Sequence, residues 1–499
     1  VLTALQDNGS PAYRQVYEAL RGAILAGRLA PGTMLPSSRV VADQLGLARG
    51  TVVQAYEMLT DEGYLEGVSG SGTYVAQILP EEFIHPRSAQ ADDQDDWPSC
   101  GLSRRGVWML SVKARALDDG QPSRKAFDTL AWAVEMFPLD LWATTSIRRH
   151  RARDRAWLQF GEVAGYRPLR EALVEYLGAT RSVTCSADQV VIFSGLVSAA
   201  NFIAQVLVDP NGPVWVENPC MAHFFSSFLA AGADITTVPV DEEGFDLQAA
   251  IAACPEAALA FVTPSCQFPL GMTMSMSRRL ALLEWARETG AWIIEDDYNG
   301  EFRYRGRPLP SLQGLDRHGR VFYLGTFSKT LFPSIRLAYV VVPPTLVEPF
   351  VAAREMFDLH PPVFEQMVVA DFISEGHFQR HIRRARKRYA ERQAALIEAA
   401  SQELTGLLEI VPRDSGKQLV GWLPEGVDED VAVEAAAEHG VTVNPLGMYY
   451  QQEQPGRRPG LVLGYAAFEP EEIQTGVGRL ATALRSVSPK LAERHPVVD

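Results

Sequence analysis

Six short runs constrain the fold of this 499-residue chain more than any other feature. They are VVIFS at 190–194, PVWVE at 213–217, ALAFVT at 258–263, AWIIED at 291–296, VFYLG at 321–325 and AYVVV at 338–342. Each is almost wholly apolar, as strands buried on both faces should be. Helical patterns such as SRRLALLEWARETG at 277–290 separate them. That alternation predicts an α/β domain with a mostly parallel sheet, running from about 106 to 485. After about 350 the pattern changes to a long helix and a smaller α/β tail.

Residues 11–76 follow a different rhythm. Val16, Leu20, Ala23 and Ile24 form a helical stripe within YRQVYEALRGAILA, which Gly27 and Pro31-Gly32 end. Ser37 or Ser38 is placed to cap a second helix, SRVVADQLG, that Gly46 stops. A third helix is predicted from Thr51 to Leu59, closed by Asp61-Glu62-Gly63. Two short strands, 64–66 and 73–75, flank the loop GVSGSG. Helix, helix, tight turn, helix, hairpin is the order of a winged helix-turn-helix, a mainly α unit. Between the two domains, residues 77–105 carry Pro80, Pro86, Pro98 and the acidic run ADDQDD, and read as a linker. The chain is therefore expected to be multidomain.

Composition narrows the function classes. The net charge of −15 excludes a general nucleic-acid binder, so any DNA contact must be local. No apolar stretch is long enough to span a membrane, and no secretory leader is visible at the N-terminus. Five scattered cysteines without CxxC spacing argue against a disulfide framework or a zinc site, and for a cytoplasmic setting. No metal set is expected.

Three features fall at the C-terminal ends of predicted strands, where open α/β sheets bind ligands. In GTFSKTLFPSIR (325–336), Lys329 follows a buried strand and is suited to a Schiff base with an aldehyde, while Thr326 and Arg336 are placed to hold a phosphate. In EDDYNGEFRY (295–304), two aspartates after the strand need a cationic partner. A protonated pyridine nitrogen fits Asp296, and a ring hydroxyl fits Tyr298. Ser194-Gly195-Leu196-Val197 opens the helix SAANFIAQVL, whose free N–H groups suit phosphate. Singly, each has a plain structural reading: a solvated lysine, a surface turn, an ordinary helix start. Their order and spacing favour the ligand site.

With these motifs in view, residues 11–76 resemble the GntR-type winged helix-turn-helix through PGTMLPSSRVVADQLGLARGTVVQAYEMLTDEGYL and GSGTYV. Residues 106–485 resemble fold-type I aminotransferases, with further matches in FPLDLW (137–142), GYRPLREALVEYL (165–177) and TPSCQFPLG (263–271). In this order the two resemble the MocR/GabR family of bacterial regulators. The resemblance implies pyridoxal 5′-phosphate as cofactor, with Lys329 as the internal aldimine lysine, Asp296 at the pyridine nitrogen, Tyr298 at the ring hydroxyl, and Thr326 and Arg336 at the phosphate. It also implies a head-to-tail homodimer. Departures are informative. Met221 in ENPCMAH stands where relatives place a stacking aromatic ring, though its sulfur can still pack on a ring face. Phe268 stands where aminotransferases carry Asn. The stretch GLVLGYAAF (460–468) lacks the arginine that forks a substrate carboxylate, and Arg457 and Arg458 lie nearby. These losses weaken transamination more than cofactor binding.

On the DNA side, the start of the third helix is expected in the major groove. Arg49, Gly50, Thr51 and Gln54 occupy it, with Arg39 toward the backbone and Ser71 and Gly72 at the wing tip. Residues 1–76 hold five arginines, no lysine and seven acids, a net of −2 (5 − 7). Weak non-specific affinity and reliance on two half-sites are therefore expected. The basic run HFQRHIRRARKRYAERQ (377–393) reads as a partly packed helix rather than a DNA contact. The expected function is a regulator of a double-stranded operator, modulated by PLP itself or by an amine or amino-acid effector at Lys329. The alternative is an active PLP-dependent aminotransferase with a DNA-binding appendage.

Overall fold

The computed structural model describes residues 10–68, 72–77, 125–152, 155–306, 309–454 and 456–487, with isolated positions at 101, 103 and 106. The chain divides into two units, residues 1–101 and 102–499.

The first unit runs α1 (Ala12–Leu25), β1 (Met34–Leu35), α2 (Ser38–Leu45), α3 (Arg49–Asp61), β2 (Leu65–Val68) and β3 (Gly72–Val75). The α1 stripe packs Val16, Leu20 and Ile24 against Val41, Val52 and Leu59, all buried. Ser37 caps α2 by accepting from the Val40 N–H at 3.5 Å, and Gly46 ends it in the left-handed region at φ 66°. Several boundaries differ from the sequence reading: β2 runs 65–68 rather than 64–66, and β3 begins one residue early at Gly72. Helix α3 starts at Arg49, two residues early, because Leu47-Ala48 suffices for the turn, and it continues to Asp61. The two-residue β1 pairs antiparallel with β3, giving the sheet order β1-β3-β2; a strand so short leaves no periodicity to read.

The second unit opens with α4 (Leu139–Arg151) and α5 (Arg167–Arg181). Its sheet is built from β4 (Val190–Phe193), β5 (Pro213–Asn218), β6 (Asp234–Asp241), β7 (Gly244–Phe245), β8 (Leu259–Val262), β9 (Trp292–Asp296), β10 (Val321–Thr326) and β11 (Ala338–Val341). The order is β4-β11-β10-β9-β8-β5-β6-β7. Pairs from β10 to β6 are parallel, whereas β11 runs against both β10 and β4. All six apolar runs are strands of this sheet, and their residues are nearly all buried. Its helices are α6 (Leu196–Leu207), α7 (Ala222–Ala231), α8 (Leu247–Ala253), α9 (Met276–Thr289) and α10 (Leu312–Leu315). Helices α11 (Val347–Asp358), α12 (Val363–Ser374) and α13 (His377–Glu403) then lead to an antiparallel sheet of β12 (Glu409–Ile410), β13 (Gln418–Trp422), β14 (Asn444–Pro445) and β15 (Gly460–Gly464). Helix α14 (Glu429–Glu438) packs on it, and α15 (Pro470–Val487) packs against α13 and α14.

Candidate functional site

The ends of β4, β9 and β10 bring the three sequence features to the same edge of the sheet, since these strands point one way. Lys329 follows β10. It is half-buried, and the surface it keeps borders a cavity of about 100 Å³ shared with Met221, Phe268, Asn444 and Tyr449. Enclosure holds its amine below the usual lysine range, opposed by the charge of Asp296.

The EDD triplet at the end of β9 divides its labour. Glu295 accepts from the backbone N–H groups of Leu312 and Gln313 at 2.9 and 3.0 Å, capping α10. Asp297 pairs with Arg181 from the end of α5, at 2.6 and 3.0 Å, and accepts from the Tyr323 hydroxyl at 2.6 Å. Asp296 is 2% exposed and its Oδ1 has no hydrogen-bond partner. Burial, then the neighbouring Asp297 and Glu217, push its carboxyl well above the usual range. An orphaned buried carboxyl oxygen of this kind fits a cationic ring N–H, so the residues present fit the pyridine end of the cofactor.

The phosphate end fits too. A Cβ at Gly195 would lie 2.6 Å from the Arg336 guanidinium, so a side chain there would have to displace that arginine from the start of α6. Ser194, Leu196 and Val197 flank it with the first backbone N–H groups of the helix. Thr326 ends β10, accepting from the Ser328 N–H at 3.1 Å, and the Ser328 hydroxyl is buried without a partner. Tyr298 is buried with its hydroxyl 4.0 Å from Cys266 Sγ. Met221 caps α7 and borders the Lys329 cavity.

Sequence reasoning missed Lys417, just before β13. Its amine donates to the Lys329 carbonyl and lies 4.0 Å from the centre of the Trp132 ring and 4.4 Å from that of Phe302. Burial drives it well below the lysine range. It missed Arg181 as well, the buried partner of Asp297. No local pattern marks either one, because the partners lie 88 and 116 residues away in sequence.

In the first unit Arg49 and Gly50 begin α3 and are exposed, with Thr51 half-buried and Gln54 exposed one turn on. Arg39 is exposed in the first turn of α2. Gly72 begins β3 at φ 130°, and Ser71 lies outside the described residues. The basic run is α13, and much of its charge is engaged internally: Arg384 bonds the Met136 carbonyl, Arg386 the Glu301 carbonyl at 2.9 Å, and Arg392 Glu469 at 2.5 Å.

Comparison with known proteins agrees with both halves. Residues 12–75 match the gntR family of bacterial regulatory proteins, and residues 133–480 match aminotransferase class I and II. The chain is 40% identical to the probable rhizopine catabolism regulatory protein MocR of Rhizobium meliloti, over 96% of this chain and 94% of that one. It is 34% identical to the HTH-type transcriptional regulator YhdI of Bacillus subtilis, over 95% and 96%. Among solved structures, the α-aminoadipate aminotransferase of Thermus thermophilus, complexed with N-(5′-phosphopyridoxyl)-L-leucine, matches with a TM-score of 0.66 at 30% identity, over 73% of this chain and 92% of that one. No helix among the described residues is long and apolar enough to cross a membrane. The chain belongs to the MocR-type transcription regulators, in which a GntR-family DNA-binding domain is joined to a class I and II aminotransferase domain whose cofactor is pyridoxal 5′-phosphate.

Proposed function

We propose that the grip of the N-terminal domain on operator DNA depends on whether the Lys329 amine is joined to pyridoxal phosphate or has been displaced from it by the amine of an effector. The observation that supports this most is the pairing of an enclosed Lys329 with the orphaned Oδ1 of Asp296 at one sheet edge. When bound, the cofactor supplies an aldehyde that condenses reversibly with primary amines.

The chain's own groups do the rest. Burial weakens the hold of the Lys329 amine on its proton, which favours its nucleophilic form. Asp296 is assigned to the ring nitrogen, where its Oδ1 would accept from a protonated ring N–H. Tyr298 is assigned to the ring hydroxyl, and Met221 to the ring face. Arg336, Thr326 and the Ser194–Val197 turn are assigned to the phosphate. Arg49 and Gln54 are assigned to base edges, Gly50 and Thr51 to close approach at the helix start, Arg39 to the DNA backbone, and Ser71 with Gly72 to the wing contact. The working units are residues 11–76 for DNA, 77–105 as linker and 106–485 for the effector, in a head-to-tail homodimer.

A coupling of about 1–3 kcal/mol is typical of such linkage. Lys329→Ala is expected to keep its far-UV circular dichroism, lose the visible absorbance of lysine-bound cofactor, and lose any effector response in operator binding. A variant that still responds as wild type does would overturn the reading. Sustained turnover of an amino donor with a keto acid would instead make the chain a transaminase.

A further inference from the structure

We propose that the effector received at Lys329 is a primary amine with an uncharged body, not an amino acid. This rests on the reading of Lys329 as the amine-responsive site. The cavity it borders is walled by Met221, Phe268, Met448 and Tyr449, with Asn444 and Thr129 as neutral polar groups. Asn444 donates to Thr129 Oγ1 at 2.7 Å and to the Tyr449 hydroxyl at 2.8 Å. Behind this wall lies a second apolar layer of Leu270, Met272, Val420, Leu446 and Val462, each 6% exposed or less. Val462 is in β15, the strand of the stretch that lacks the carboxylate-binding arginine, and it is fully buried among hydrophobic side chains.

The arginines that sequence proximity offers are committed elsewhere. Arg457 forks Glu429 at 2.6 and 3.3 Å. Arg458 pairs with Glu409 at 2.7 Å and lies over Trp422. Arg336 stands at Gly195, on the phosphate side. The carboxyl that acts on Lys329 is that of Asp296. A carboxylate entering here would shed its water against apolar walls, with no guanidinium among the described lining residues to meet it. His223 also borders the cavity, but it is exposed, where water and salt screen its interactions. An uncharged body meets no such penalty, and hydroxyl or ether oxygens on it would suit the Thr129–Asn444–Tyr449 group.

The test uses the full chain loaded with pyridoxal phosphate and three matched probes. Pentylamine carries no carboxylate, norleucine adds one beside the amine, and 5-aminopentanoate carries one at the far end. Half-saturation is read twice, from the visible absorbance of the cofactor and from the change in operator affinity. Pentylamine is expected to saturate at a concentration at least about tenfold below either acid, tenfold being about 1.4 kcal/mol. His223→Arg, at an exposed position on the cavity border, is expected to narrow the gap between 5-aminopentanoate and pentylamine. Either acid saturating wild type as readily as pentylamine would overturn the inference and leave the amine-responsive reading standing. An unchanged gap in the His223→Arg variant would overturn the claim that a missing cation excludes the acids. If all three probes leave both readouts unmoved, the underlying reading of Lys329 falls, and the inference falls with it.

Discussion

The most consequential single pair is Arg181 with Asp297. Both side chains are almost fully buried, and the contact is a two-point fork at 2.6 and 3.0 Å. Removing one partner leaves a charge buried without compensation, which costs about 3–5 kcal/mol. Arg181→Ala should therefore lower unfolding stability by that order in a denaturant titration, and Arg181→Lys should recover only part, because an ammonium cannot fork. A loss below about 1 kcal/mol would show that Asp297 finds its compensation elsewhere. This pair also marks a limit of reading from sequence. EDDY identified the acidic strand end, and Asp296 as the unpaired member is the residue the motif pointed to. The motif could not say that Glu295 and Asp297 were already satisfied, since their partners come from α10 and from a helix more than a hundred residues upstream. Lys417 was invisible for a related reason: a lysine before a strand is expected in water, not against three aromatic rings.

At the scale of elements, two parts of the C-terminal lobe hold the loop that carries Lys329. Lys417, just before β13, bonds the Lys329 carbonyl, and His381 of α13 places Nε2 3.0 Å from the Thr330 carbonyl. His381 must donate there, so its neutral form is the one that fits, and Nδ1 is buried without a partner. Burial, then the charge of Arg384, lowers its pKa from 6.5 to about 4. The folded pKa lies below the unfolded one, so the unfolded chain binds more protons between those values. Stability from this residue is complete above about pH 6.5 and is lost as pH falls toward 4. His381→Gln can still donate to Thr330 but does not titrate. The stability difference between wild type and His381→Gln should thus shift by about 3 kcal/mol against wild type from pH 7 to pH 4. A difference flat across that range would show that His381 is not held neutral. The strands were legible because burial on both faces leaves a plain apolar run. Strand β6 was not, because most of DITTVPVD is only half-buried and Pro239 interrupts it. Neither its composition nor its period resembles the six central strands.

At the scale of the whole molecule, an acidic chain must bind an acidic polymer. The five arginines against seven acids in residues 1–76 set a ceiling on phosphate contacts. With about 0.9 counterion released per phosphate neutralised, the slope of log K against log salt should be no steeper than about −4.5 for each DNA-binding domain engaged. A slope near −10 per domain would contradict the view that the domain reads DNA by shape and base contacts from two half-sites rather than by charge. The same constraint makes modest shifts effective: in the proposed dimer, a small change in how the two DNA-binding domains are presented is enough to release a protein with little non-specific grip. Lys329 is the proposed origin of this change. Its most direct test is operator affinity measured at one fixed salt concentration, with and without pyridoxal phosphate and pentylamine, for wild type and Lys329→Ala. Wild type should change affinity by about 5- to 150-fold on addition of cofactor or amine, while Lys329→Ala, equally folded, should show a single affinity throughout. Equal responses in the two proteins would mean that the change does not originate at Lys329.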